Sequence, residues 1–160
     1  MIIYEVNNTQ DCNYCGHVKI QKNLLDRLSI ERKELEENAF KNMKERLYIQ
    51  SMHEYMEEIL EMKIPQESDP KLMIVTNREN NFGAAMILLP EVYEQLSKKL
   101  GEKFIIIPSS IHECLATEYQ DDLEMLVNMV KEVNETQVAP EEQLSDHIYL
   151  CTKEGVSLLK

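Results

Sequence analysis

The order of the predicted elements indicates an α+β fold, with a largely antiparallel sheet, flanking helices and a helical N-terminal half. Residues 21–62 carry apolar side chains at helical spacing, for example Leu35, Ala39 and Met43. The second half alternates short apolar runs with two amphipathic segments, in the order strand, strand, helix, strand, strand, helix. Hydrophobic residues make up 43% of the 160-residue chain, which is sufficient for a buried core.

The first half is expected to open with a β-hairpin. Residues 2–6 are β-branched and aromatic, and "HVKI" (residues 17–20) follows as a second short strand, with Gly16 in the turn or in a bulge. Amphipathic helices come next, with Ser29 as the candidate N-cap of the second helix. A break in the helical segment is expected near residues 48–51.

The loop "PQESDPK" (residues 65–71) contains two prolines and is the best candidate for a boundary within the chain. Residues 1–64 would form the short hairpin and the helices, and residues 71–160 would form the α+β module. We expect the two parts to make one compact domain, since a chain of 160 residues is the size of one domain.

The second half is expected to begin with another hairpin, made by "KLMIVTN" and "GAAMILL". Pro90 suits the first position of a helix that ends before Gly101. "KFIIIP" predicts a buried strand, "HECLATE" predicts an antiparallel neighbour, and "HIYLC" and "GVSLL" predict two final strands. Asp121 or Asp122 would cap the last helix. The inward residues expected for this helix are Leu123, Leu126, Val127, Val130 and Val133.

The net charge of the chain indicates which kinds of partner it can bind. A net charge of −12 argues against a protein that binds nucleic acid directly or adheres to an anionic membrane. Between residues 111 and 146, ten acidic residues accompany a single basic residue, Lys131. This segment is either a solvated surface or a docking surface for a basic protein partner. The candidate partner-binding residues are Glu118, Asp121, Asp122, Glu124, Glu132 and Glu135.

The sequence has no stretch approaching the about 20 apolar residues that span a bilayer. Its N-terminus, "MIIYEVNN", lacks the basic segment and the long apolar segment of a secretory signal. We therefore expect a cytoplasmic protein without a membrane partner, and we expect its four cysteines to be reduced.

The motif "DCNYCGH" places Cys12, Cys15 and His17 at a spacing that suits half of a zinc site. The second half of such a site is missing, because Cys114 and Cys151 lie far apart in the sequence. A redox pair is a further alternative, although it would be expected at the start of a helix rather than before a strand. An ordinary hairpin loop is the favoured interpretation, with no cofactor and with zinc as the alternative.

The segment "PSSIHEC" follows a predicted buried strand and is dense in reactive side chains. A hydrolase or metal site here would need the "SDH" segment of the late loop to lie nearby. No Gly-x-Ser-x-Gly elbow is present, and strand alternation would separate His112 from Glu113. The favoured interpretation is a well-capped turn held against the loop at Ser145 and Asp146. The candidate catalytic residues are Ser109, Ser110, His112, Glu113, Asp146 and His147.

Four motifs occur in a fixed order along the second half. They are Val75-Thr76-Asn77, Gly83-Ala84-Ala85, the Pro-Ser-Ser-Ile-His-Glu segment within residues 107–113, and Val-Asn-x-Thr-x-Val-x-Pro-Glu-Glu-x-Leu-Ser-Asp at residues 133–146. In this order they resemble the C-terminal part of the bacterial family called domain of unknown function 5688. The resemblance implies a cytosolic α+β protein of a bacterium, phage or mobile element. The family has no assigned activity, so the resemblance implies no catalytic residue.

The favoured function is a non-enzymatic binding or regulatory protein that acts through its acidic surface. One specific form is an inhibitor that occupies the basic channel of a host nucleic-acid-targeting defence system. The alternative is a hydrolase or metal-dependent enzyme that uses the region of Ser109, His112 and Asp146. A third hypothesis is a structural module of a larger complex, and the sequence leaves the oligomeric state open.

Overall fold

The structure is a computed structural model that describes residues 3–6, 16–65 and 71–159, with side chains described from residue 20 onwards. The chain divides into two compact units, Met1–Glu45 and Arg46–Lys160. The boundary expected at residues 65–71 stays a prediction, and residues 66–70 lie outside the described part. None of the helices in the described residues is long and apolar enough to cross a membrane.

The first unit contains a small sheet and two helices. Strands β1 (Ile3–Val6) and β2 (Gly16–Lys19) pair in antiparallel orientation, which confirms the predicted hairpin. Helices α1 (Lys22–Leu28) and α2 (Arg32–Arg46) follow. Ser29 is the C-cap of α1 rather than the N-cap of α2, because its backbone is left-handed, with φ of 52°.

The second unit is built on one six-stranded antiparallel sheet, which confirms the predicted α+β class. The strands lie in the order β3-β4-β6-β5-β7-β8. The elements are β3 (Leu47–Ser51), α3 (Met52–Leu60), β4 (Leu72–Asn77), a 3₁₀ helix (Gly83–Leu88), α4 (Pro90–Leu100), β5 (Phe104–Ile107), β6 (Cys114–Glu118), α5 (Leu123–Gln137), β7 (Tyr149–Thr152) and β8 (Gly155–Leu158).

Helices α4 and α5 cover opposite faces of this sheet. Side chains of neighbouring strand residues point to opposite faces. Phe104 of β5 stacks on Tyr93 of α4, with ring centroids 5.9 Å apart. Ile105 and Ile107 pack instead in a cluster with Leu126 of α5. Every residue of β5 is therefore buried, as the apolar run predicted.

The caps of the last two helices follow the sequence prediction. Pro90 begins α4, and Gly101 ends it with a φ of 93°. Asp122 begins α5, where its carboxylate accepts a hydrogen bond from the backbone N–H of Met125 at 3.3 Å. These residues fix both ends of α4 and the start of α5.

One element differs from the prediction, and one predicted break is confirmed as a strand. The segment "GAAMILL" forms the 3₁₀ helix rather than a strand, and the partner of β4 on that side is β3, with Ile49 opposite Val75. A continuous apolar run does not distinguish a strand from a helical turn. The break expected near residues 48–51 is confirmed, because α2 ends at Arg46 and α3 begins at Met52. The break takes the form of edge strand β3, which the aromatic and β-branched residues Tyr48 and Ile49 favour.

Candidate functional site

The candidate catalytic segment forms a tight turn between β5 and β6. The N–H of Ser110 donates to the carbonyl of Glu113 at 3.2 Å, and its Oγ accepts from the N–H of His112 at 3.0 Å. The Oγ of Ser109 lies 3.5 Å from the Oε1 of Glu113. Ser110 thus satisfies backbone groups of the turn itself, which is the role expected of a serine at a strand end.

Both ring nitrogens of His112 are engaged by other segments of the chain. Nδ1 accepts a hydrogen bond from the backbone N–H of Phe82 at 3.2 Å, and Nε2 lies 3.3 Å from the Oε1 of Glu142. Because Nδ1 is an acceptor, Nε2 carries the ring hydrogen and lies beside the carboxylate. A general base for Ser109 or Ser110 would need a ring nitrogen that accepts from the hydroxyl, whereas Nδ1 accepts from Phe82 and Nε2 carries a hydrogen.

The backbone of His112 is held by the end of β4. The hydroxyl of Thr76 donates to the carbonyl of His112 at 2.8 Å. Gly83 packs at the same place, where an added Cβ would lie 2.3 Å from Thr76 Oγ1 and 2.6 Å from His112 O. The approach of these three segments therefore leaves no room for a side chain at position 83.

Asn77 shapes the loop that brings Phe82 to His112. Its side-chain amide donates to the carbonyl of Asn81 at 2.7 Å and accepts from the N–H of Asn81 at 3.0 Å. Asn80 and Phe82 both adopt positive φ values, 49° and 53°. The loop is thus held by hydrogen bonds to the buried Asn77 side chain. At the end of the loop, the N–H of Phe82 is directed at the imidazole of His112.

Glu142 reaches the same turn through its backbone as well as its carboxylate. The carbonyl of Glu142 accepts from the N–H of Ile111 at 2.8 Å. We call Thr76, Asn77, Phe82, Gly83, His112 and Glu142 the His112 network. It joins all four motifs quoted above, although the sequence singled out only His112 as a candidate site residue.

The late loop is fixed to the end of α5 by a second set of hydrogen bonds. The buried side chain of Asn134 donates to Asp146 Oδ1 at 2.7 Å and to the carbonyl of Ser145 at 3.2 Å. The side chain of Gln143 donates to the carbonyl of Asn134 at 2.8 Å, where a helix end leaves carbonyls without partners. Asp146 therefore contacts α5, whereas the sequence predicts that it faces the His112 turn.

The other candidate residue of this loop, His147, is exposed, and its backbone N–H bonds to Ser145 Oγ at 3.1 Å. Within residues 20–65 and 71–159, no hydrogen bond or ion pair joins Asp146 or His147 to His112. The part of the chain that the structure describes contains no group of three or more metal-ligating side chains. Cys12 and Cys15 lie outside that part, and the side chain of His17 is not described.

A double-mutant cycle would test the link between His112 and Glu142. His112→Ala is expected to lower the free energy of unfolding by about 1–3 kcal/mol, because the N–H of Phe82 loses its acceptor. Combined with Glu142→Ala, the cycle is expected to give a coupling of about 0.5–1.5 kcal/mol in urea unfolding. Glu142→Gln retains an acceptor oxygen and serves as the milder control. Strictly additive effects of the two alanine variants would contradict the contact.

The two described cysteines are expected to be unreactive in the folded protein. Burial, with a smaller contribution from the charge of Glu113, raises the pKa of the Cys114 thiol to about 12. Burial also raises the pKa of Cys151. In a Cys12→Ser/Cys15→Ser variant at pH 8, both thiols should react slowly with a disulfide reagent until guanidinium unfolds the chain. A fast-reacting thiol before unfolding would contradict this expectation.

Helix α5 presents a second candidate site on its outer surface. Met125, Met129 and Val133 follow one another at every fourth residue and are 63%, 47% and 38% exposed. The sequence predicts that Val133 faces the core, whereas it lies on the outer side. Glu132 and Glu135 are exposed on the same helix. We call these five residues together with Glu124 the α5 surface.

The acidic candidates do not all share one environment. Glu118 forms an ion pair with Lys71, and the carboxylate of Asp122 caps α5. All six candidates are exposed. Five of them, all but Glu118, lie on α5 or directly before it.

Comparisons with known proteins place the chain in a family but not in a functional class. Neither a curated protein nor a solved structure shows significant similarity to it. The model of one family, described as a family of unknown function (DUF5688), matches residues 1–153. The match includes the first unit and thus extends beyond the four motifs of the second half. The chain belongs to this family of unknown function, DUF5688.

Proposed function

We propose that this chain is a non-enzymatic binding protein, and that a positively charged protein partner binds at its α5 surface. The observation that carries the proposal is the row of exposed apolar side chains on α5, flanked by exposed carboxylates. Large apolar side chains with a charged border are typical of protein–protein contact sites. Methionine side chains in such a surface adapt to the shape of a partner.

The charge of the molecule favours a basic partner. The net charge is −12, and residues 111–146 contain ten acidic residues and one basic residue. The electrostatic field of such a surface accelerates association with a basic protein and opposes association with nucleic acid. The proposal therefore includes no direct contact with nucleic acid.

A narrower form of the proposal assigns the partner to a host nucleic-acid-targeting defence system. The acidic surface would then occupy a basic channel that otherwise binds nucleic acid, and the chain would act as an inhibitor in the cytoplasm of a bacterium. A competition experiment with nucleic acid distinguishes such an inhibitor from a protein that binds a basic partner elsewhere. A short DNA or RNA duplex should displace the chain from a partner whose nucleic-acid channel it occupies, and should leave other complexes intact.

The hydrolase alternative has weaker support. The imidazole of His112 is committed to Phe82 and Glu142, while Asp146 is bound to Asn134. A hydrolase would require these contacts to be replaced by contacts with a serine and with substrate. The residues of the α5 surface are already exposed, so a partner can contact them without a rearrangement of the fold.

A capture experiment with matched charge variants tests the proposal. The tagged protein is incubated with lysate of its source organism at low and at high salt, and captured proteins are identified by mass spectrometry. The α5 variant is E124Q/E132Q/E135Q. The control is E31Q/E34Q/E45Q, which changes the net charge equally at exposed residues near and in α2.

The proposal expects a protein that is captured at low salt, released at high salt, lost with the α5 variant and retained by the control. If no captured protein distinguishes the two variants, the α5 surface is not a binding site for a basic partner.

A further inference from the structure

The apolar residues of the α5 surface form a single ridge. Met125, Met129 and Val133 are spaced by four residues, which places them one turn apart along the helix. Eight residues at about 1.5 Å each give the ridge a length of about 12 Å, or two helical turns. Leu126 and Val130 face the core on the adjacent side of the helix. The contact area is thus long, narrow and parallel to the helix axis.

A ridge with this spacing is complementary to another α-helix. Rows of side chains four residues apart pack into the grooves between equivalent rows on a second helix. A strand would gain most of its affinity from backbone hydrogen bonds to a sheet edge. Helix α5 offers no such bonds, because its backbone groups are paired within the helix. An occupant of this ridge is therefore expected to be helical.

The carboxylates indicate how charge is arranged on that helix. Successive residues turn by about 100°, so Glu132 lies beside Met125 and Met129, on the side away from Leu126 and Val130. Glu135 lies further round on the same side, and both carboxylates are exposed. A helix lying on the ridge would gain from Lys or Arg residues along the flank that faces Glu132 and Glu135.

A second copy of this chain is a poor occupant for the same reason. Each copy has a net charge of −12, and its α5 contributes Lys131 as the only basic residue. Packing two α5 helices together would bring the carboxylates of Glu132 and Glu135 near those of the other copy. The charge balance favours a partner of opposite sign.

We infer that the partner presents one amphipathic basic helix of at least two turns, with its apolar residues on Met125, Met129 and Val133. This inference rests on the function proposed above and specifies the element that binds. The apolar residues of the partner helix recur every three or four positions, and its Lys or Arg residues lie on the flank facing Glu132 and Glu135.

A designed peptide provides a direct test. The probe is a fluorescent peptide of about 18 residues made of Leu and Lys, with Leu at helical spacing. The control peptide has the same composition in an order without periodicity. Fluorescence anisotropy with the full-length protein should give a Kd for the amphipathic peptide about tenfold lower or better than for the control peptide.

Matched variants assign the binding to the ridge and its flank. M125S/M129S and E132Q/E135Q are each expected to raise the Kd of the amphipathic peptide about tenfold. Leu88→Ser removes an exposed apolar side chain elsewhere, and E31Q/E34Q removes two carboxylates elsewhere. Both control variants should bind the peptide as the parent protein does.

Three results would overturn the inference. Equal binding of the two peptides would show that the surface attracts any cationic chain, which leaves the proposed function standing without a helical partner. Absence of peptide binding would reject the helix, and the lysate capture would then decide the proposed function separately. A dimer in light scattering that Met129→Glu dissociates would assign the ridge to a second copy.

Discussion

Gly83→Ala is expected to lower the free energy of unfolding by about 3 kcal/mol, the upper part of the range for overpacked sites. The added Cβ would lie 2.3 Å from Thr76 Oγ1 and 2.6 Å from both Asn77 N and His112 O. Two of these three atoms belong to the backbone, which cannot move aside as a flexible side chain would. Relief of the overlap requires the 3₁₀ helix to separate from the end of β4 and from the His112 turn.

Urea unfolding of the variant and the parent protein measures this effect. Ala85→Ser is the control, because Ala85 is exposed on the same 3₁₀ helix and its replacement should change stability by no more than about 0.5 kcal/mol. A cost below about 1 kcal/mol for Gly83→Ala would mean that the three segments do not approach as closely as described.

Asn134→Asp is expected to lower the free energy of unfolding by about 3 kcal/mol at pH 7. Asn134 is 3% exposed and donates to Asp146 Oδ1 at 2.7 Å. The substitution preserves size and shape but replaces the donor with a second carboxylate. Two carboxylates at this distance, with one of them buried, cannot both ionise without a large cost.

The loss at Asn134→Asp should depend on pH in a defined direction. The neighbouring carboxylate and burial would raise the pKa of the new carboxyl in the folded state above its unfolded value of about 3.9. The folded state then binds more protons, so the destabilisation is smallest below about pH 4 and grows as the pH rises through the folded-state pKa. Asn128→Asp, on the exposed side of α5, controls for the added charge. A loss that is the same at pH 4 and pH 7 would contradict the contact with Asp146.

The sequence predicts a strand well where the pattern of its residues is compatible with a strand and with no other element. Four consecutive apolar residues, Phe104 to Ile107, are bounded by Pro108, and the strand is buried on both faces. Edge strand β3 is different, since "LYIQS" is a short run directly between two helices. Its assignment depends on pairing with β4, a segment more than twenty residues away, and local periodicity carries no information about such pairing.

In the candidate site, too, the sequence predicts which residues are notable but not which distant residues they contact. The density of polar side chains identified His112 and the serines of the turn as notable residues. The partner of His112 is Glu142, however, whereas the sequence favoured Ser145 and Asp146 in the same loop. Residues of one motif share a position along the chain, but their spacing does not determine which of them faces a turn thirty residues earlier.

The α5 surface could be predicted only in part. The excess of acidic residues is visible in the sequence, and so are the apolar residues at helical spacing. Val133 belongs to the same series as Leu126 and Val130, and only its exposure separates it from the core. Sequence periodicity gives the direction of a residue around a helix, while its burial depends on what the rest of the fold places there.

We propose that the His112 network supports the fold and that the α5 surface binds a partner. Backbone amide chemical shifts of the isotopically labelled protein, titrated with the amphipathic Leu/Lys peptide, test this assignment of the two regions. The largest changes are predicted within residues 124–136 of α5, with the amides of Phe82, Ser110 and His112 unaffected. Changes centred on those three amides, with α5 unaffected, would contradict the claim.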